Sequence, residues 1–125
     1  MENKKKILIV EDDIFIQDIY QVKFTQEGFE VVTVENGFLA MEKLKDFIPD
    51  IILLDVMMPY MNGMETLREI KEQEALKNVP IIMLTNISEK ENIEAGQDLG
   101  VDNYLIKSNF TPSEVVGKVR TLLKI

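Results

Sequence analysis

Five short apolar segments punctuate this chain at regular intervals, and helix-patterned stretches lie between them. The segments are Ile7 to Val10, Val31 to Val34, Ile51 to Leu54, Ile81 to Leu84 and a weaker one at Asn103 to Ile106. The first, third and fourth are apolar throughout rather than alternating, as parallel strands covered on both faces require. In the first helical stretch Ile16, Ile19, Tyr20 and Phe24 are expected to share a face, with Gly28 closing it as a C-terminal cap. Leu39, Met41 and Leu44 mark a second helix ended by Pro49, and Leu67 and Ile70 a third opened by Asn62-Gly63 with Glu65 as a capping-box acid. Ser88 with Glu91 is a capping box for a fourth, whose main apolar anchors are Ile93 and Leu99. Thr111, Pro112 and Glu114 open a fifth, with Val115, Val116, Val119, Leu122 and Leu123 on its core side. Strand and helix alternating five times imply a doubly wound α/β fold, a single domain over residues 1–125. The thinly apolar fourth helix is the element expected to move.

Composition removes many chemistries. The chain has no cysteine and no histidine, which excludes disulfides, thiolate and imidazole metal sites and Ser-His triads. With 22 acids against 14 bases, the net charge of -8 argues against direct nucleic-acid binding. No apolar run approaches the 20 residues of a membrane span, and the run after Lys4-Lys5-Lys6 stops at Glu11, too short for a signal-peptide core. The three lysines read as a solvated lead-in to a strand, and the chain as cytoplasmic without membrane contact.

In an open parallel sheet, sites form outside the carboxyl ends of the strands. Glu11-Asp12-Asp13 follow the first strand, Asp55 the third, Thr85 ends the fourth and Lys107 follows the fifth. Taken singly, several have plain structural explanations. Asp13 can equally be a helix N-cap, Thr85 a loop threonine and Lys107 a solvated charge. Together they are harder to explain away. Two carboxylates about 5 Å apart repel by roughly 3 kcal/mol at an effective dielectric near 20. Several on one rim need a proton, a lysine or a metal, and Mg2+ with oxygen ligands suits them best. A remaining carboxylate can then attack phosphorus and form an aspartyl phosphate.

Over Ile7 to Leu123 the chain resembles the receiver domains of two-component response regulators. Glu11 and Asp12, Asp55, Pro59, Gly63, Thr85, Tyr104 and Lys107 carry the resemblance. It implies the flavodoxin-like strand order 2-1-3-4-5, Asp55 as phosphoacceptor, and Mg2+ held by Asp12, Asp55, the Met57 carbonyl and, through water, Glu11. Thr85 and Lys107 would contact the phosphoryl group, Tyr104 would change rotamer, and Asp13 is then the helix cap. It further implies a histidine kinase or His-phosphotransfer protein as donor. A downstream protein or a second copy would bind the face made by the fourth helix, fifth strand and fifth helix. The domain would catalyse only its own phosphorylation and slow autodephosphorylation, the latter tuned by Met57 and Ile87.

Two positions depart from the family. Ser108 replaces the usual proline after the lysine, so a trans peptide is expected there, and Asn86 replaces a small residue after the threonine. A haloacid-dehalogenase-like phosphatase would need an acid where Met57 stands. A flavodoxin-like ligand binder would need a phosphate loop where three acids stand. The remaining alternative is a phosphorylation-independent interaction domain with a relic site.

Overall fold

The computed structural model describes residues 4–56, 61–86 and 90–125, with residues 90–92 described through their backbone. Five strands, β1 (Lys6–Val10), β2 (Glu30–Val34), β3 (Ile51–Leu54), β4 (Ile81–Thr85) and β5 (Asn103–Ile106), form one parallel sheet in the order β2-β1-β3-β4-β5. Five helices alternate with them: α1 (Ile14–Gln26), α2 (Gly37–Lys43), α3 (Gly63–Glu72), α4 (Lys90–Asp98) and α5 (Pro112–Leu123). This is the doubly wound architecture and strand order expected. Val10 pairs with Val34 on one side and Leu54 on the other, so the strands carrying the acids end level with one another.

The continuous apolar strands divide their side chains between two cores. Leu8, Val10, Ile52, Leu54, Ile81 and Met83 pack against Ala40 from α2, Leu44 just after it, and Leu67 and Ile70 from α3. Ile7, Ile9, Ile51, Leu53, Ile82 and Leu84 face Tyr20, Phe24, Val115, Val116 and Val119 from α1 and α5. Each fully buried aliphatic side chain contributes about 1.5–3 kcal/mol relative to exposure, which makes the sheet the rigid part of the molecule.

The helix caps follow the local sequence. Asn62 and Thr111 both form capping boxes, with Glu65 and Glu114 as the reciprocal acids. Gly28 follows α1 at a φ of +93°, a conformation that glycine adopts without strain. Ser88 lies outside the described residues, as does the side chain of Glu91, so the expected box of the fourth helix does too.

Two helical expectations need correction. Ile19 is 52% exposed, and the buried positions of α1 are Gln17, Tyr20 and Phe24. At 100° per residue, Ile16, Gln17, Tyr20 and Phe24 span one stripe and Ile19 lies well to its side. The second helix ends at Lys43, not against Pro49, because Leu44 caps it and the chain continues through turns to Asp46. Ala95 in α4 and Leu99 just after it reach the core from partly buried positions, and Ile93 is also only half-buried. Gly96 sits close enough to β4 and β5 that a Cβ there would lie 3.3 Å from Met83 and from Tyr104.

Candidate functional site

The carboxyl edge of β1 and β3 brings three acids together. Glu11, Asp12 and Asp55 each offer a carboxylate oxygen, all within 4.8 Å of one another, with Glu11 and Asp55 buried and Asp12 exposed. Asp13, the third acid of the run, serves as N-cap of α1 and accepts hydrogen bonds from the backbone N–H groups of Phe15 and Ile16. Of the triple acid run, Glu11 and Asp12 thus stand with Asp55, and Asp13 is engaged at the helix start.

Lys107 reaches into this cluster from the end of β5. Its Nζ donates to Glu11 Oε2 at 2.7 Å, to Glu11 Oε1 at 2.9 Å and to Asp55 Oδ2 at 3.1 Å. All three side chains are nearly out of contact with solvent. Burial pushes the Glu11 carboxyl up to about 7 even though Lys107 pulls the other way, because the nearby negative charge of Asp55 adds to the effect. Burial also disfavours the charge on Lys107, yet its two carboxylate partners outweigh this and hold its pKa above the ordinary lysine value. The carboxylates outnumber the lysine, and this is the imbalance a hard cation relieves. Oxygen donors at this spacing suit Mg2+, which commonly takes one or two carboxylates and completes its shell with water.

Thr85 closes β4, fully buried beside the cluster's edge, and Tyr104 lies partly buried on β5, packed on the core that α4 also meets. Asn86 is exposed just beyond Thr85. The described residues contain no cis peptide, so the Lys107–Ser108 bond is trans as expected, and the chain runs from it into a short 3-10 turn, Lys107–Asn109. Met57, Pro59 and Ile87 lie outside the described residues. Gly63, the first residue of α3, packs directly on the phosphoacceptor candidate: a Cβ at this position would collide with the Asp55 carbonyl oxygen. The sequence reading missed Gln17, whose buried side chain holds the turn carrying Glu11. Its signal was a helical offset of three and seven residues from the core aromatics Tyr20 and Phe24.

A doubly wound parallel sheet whose carboxyl edge gathers three acids and a buried lysine defines a narrow class of domain. The chain matches the response regulator receiver domain over residues 7–120. It is 37% identical over 122 residues to the probable transcriptional regulator ycf27 of Cyanophora paradoxa, covering 98% of this chain and 49% of that protein. With the phosphate regulon transcriptional regulatory protein PhoB of Pseudomonas aeruginosa it shares 38% identity over 120 residues, covering 96% and 52%. The structure of the chemotaxis protein CheY4 of Vibrio cholerae superimposes with a TM-score of 0.89 at 30% identity, covering 95% of this chain and 98% of that one. The chain belongs to the response regulator receiver domain family, and it spans about half the length of the curated relatives named here. Receiver domains are signalling switches of two-component systems rather than classical enzymes. Among the described residues, no helix is long and apolar enough to cross a membrane.

Proposed function

We propose that this domain takes a phosphoryl group onto Asp55 from a phosphohistidine of a histidine kinase or His-phosphotransfer protein. The observation that carries the reading is the buried Asp55 carboxylate, 3.1 Å from Lys107 Nζ and clustered with Glu11 and Asp12. An Asp55 oxygen attacks phosphorus, the phosphorus–nitrogen bond to the donor breaks, and the histidine keeps the electron pair and takes up a proton. Lys107, already on Asp55, compensates the negative charge of the transferred group, and Thr85 is the hydroxyl for another phosphoryl oxygen. Mg2+ held by Glu11, Asp12, Asp55 and the Met57 carbonyl would neutralise phosphoryl charge during transfer. Incubation with acetyl phosphate and Mg2+ tests this, with intact-mass and peptide mapping as the readout. One phosphoryl group at Asp55, absent when EDTA is present, is the expected result; no mass gain would favour the relic-site reading.

The output face is α4, β5 and α5. The phosphoryl group draws Thr85 towards it, and Tyr104 moves into the vacated space. The close approach of Gly96 to Tyr104 links that side chain to α4, an element held by few buried anchors. A bias of a few kcal/mol is enough to repopulate a minor arrangement, presented to a downstream protein or a second copy. Phosphorylation should therefore shift backbone amide resonances across 87–123. Shifts confined to the loops around Asp55 would rule this route out.

The signal should also be long-lived. Hydrolysis needs a water in line with the Asp55–phosphorus bond, and Met57 and Ile87 occupy the two sequence positions that flank this approach in the family. Neither side chain can orient a water by hydrogen bonding. Positioning of the nucleophile is a large part of phosphoryl-transfer catalysis, so Met57→Asn/Ile87→Glu should speed decay of the phosphorylated domain by about 10- to 100-fold. Decay within seconds in the wild type, followed after donor removal, would contradict the argument.

A further inference from the structure

Gln17 is a polar side chain on the buried stripe of α1, 7% exposed, in a place where the helix otherwise presents aromatic residues. Burying an amide is costly unless its hydrogen bonds are made. Here both are. Gln17 Nε2 donates to the Glu11 carbonyl oxygen at 3.1 Å and to the Val34 carbonyl oxygen at 3.3 Å. The Val34 carbonyl also accepts from the Glu11 backbone N–H at 3.0 Å, so one side chain fastens the ends of β1 and β2 at the point where the acids emerge.

The turn it holds is short and fully engaged. Asp13 N–H donates to Glu11 Oε1 at 3.3 Å, Asp13 caps the helix, and Gln17 N–H donates to the Asp13 carbonyl at 2.9 Å. Glu11 and Asp12 thus lie between a strand end clamped by Gln17 and a helix start capped by Asp13. The clamp is also neutral. An arginine or lysine in this place would supply donors, but it would bring a positive charge towards a cluster that has to attract a cation.

We infer that Gln17 is a positioning residue for the divalent-cation site: its side-chain amide sets the placement of the Glu11 and Asp12 carboxylates through the Glu11 carbonyl. The inference rests on the reading of Glu11, Asp12 and Asp55 as the Mg2+ ligands. Residues that orient metal ligands without touching the metal typically change affinity by about 10- to 100-fold when lost.

The test is a Mg2+ titration without phosphodonor, by calorimetry or amide shifts, on wild type, Gln17→Met and Gln17→Asn. Methionine keeps the side chain's length and removes the donors. Asparagine keeps the amide but withdraws it by one methylene, so it reads the same contact if the methionine variant folds poorly. Both should raise the Mg2+ dissociation constant by about tenfold or more. The rate of labelling by acetyl phosphate should return to near the wild-type value once Mg2+ is saturating, because Asp55 follows β3, outside the turn that Gln17 holds, and keeps its own bond to Lys107. Folded variants with unchanged Mg2+ affinity overturn the inference. So does a saturated labelling rate that stays low while affinity is normal, since that describes general damage to the fold. A wild type that binds Mg2+ but is not labelled overturns the phosphoryl-acceptor reading alone. A wild type that binds no Mg2+ overturns the metal site and this inference together.

Discussion

Asp55→Asn should reduce labelling by acetyl phosphate to background while leaving the domain at least as stable as the wild type. The loss of labelling follows from the atom replaced: a carboxylate oxygen can bond to phosphorus, whereas a neutral amide is a poor nucleophile in the same place. The effect on stability follows from the charges around it. Asp55 attracts Lys107 across 3.1 Å, worth roughly 5 kcal/mol at an effective dielectric near 20. Against this stand Asp12 and the ionised fraction of Glu11, each with a carboxylate oxygen within 4.8 Å; a charged one repels an ionised Asp55 by up to roughly 3 kcal/mol on the same scale. Burial of the Asp55 charge adds to the unfavourable side. Asparagine removes the repulsion and can still accept from Lys107, which then pairs one to one with Glu11. A thermal melt in EDTA should give an unchanged or higher midpoint for the variant. A marked fall in the midpoint would show that Asp55 is chiefly a structural partner of Lys107, and residual labelling would place the acceptor elsewhere.

The clustering of acids at the sheet edge, which the structure shows, was legible in the sequence for a physical reason. Acids following apolar strand ends make no packing contribution, so Glu11, Asp12 and Asp55 stood out against Ile-Leu-Ile-Val and Ile-Ile-Leu-Leu. The strands were legible for the same reason, since continuous apolar runs bounded by charge leave few alternatives in a parallel sheet. Two features were not legible. The pairing of Lys107 with Glu11 spans 96 residues of chain and is set by the strand order, not by any local pattern. The reason for burying Gln17 in place of Ile19 is the second: helical spacing from Tyr20 and Phe24 marks the position, but hydropathy gives no sign of the two carbonyls that need its donors. The early end of α2 has a similar cause. Its apolar pattern continues past Lys43, but Leu44 and Phe47 reach the core from the segment after the helix rather than from a longer helix.

Two glycine-to-alanine changes of identical chemistry should have opposite outcomes, and the difference locates the site's weakest tolerance. Gly117 lies on α5 with nothing within 4 Å of where a Cβ would be. Alanine there only trades backbone freedom for helix propensity, so Gly117→Ala should stabilise the domain by about 0.5–1 kcal/mol and leave labelling unchanged. Gly63 opens α3, and its N–H donates to the Val56 carbonyl at 3.0 Å. A Cβ there would meet the Val56 Cα at 2.8 Å and the Asp55 carbonyl carbon at 2.9 Å, with the carbonyl oxygen closer still. These are backbone atoms, which cannot rotate away as a side chain would. Either the start of α3 or the Asp55 peptide must shift, and overpacking of this kind costs about 1–3 kcal/mol. The larger consequence is kinetic. In the proposed reaction Asp55 is the nucleophile, held by its backbone against Lys107, and a displacement of order 1 Å at a reacting group can cost about 100-fold in rate. Gly63→Ala should therefore slow labelling far more than its loss of stability would suggest, even well below its melting temperature. The comparison needs only thermal melts and labelling rates for the two variants beside wild type. Labelling of Gly63→Ala within about twofold of wild type would mean that α3, not Asp55, yields to the added methyl group, and that its contact with Asp55 does not set the rate.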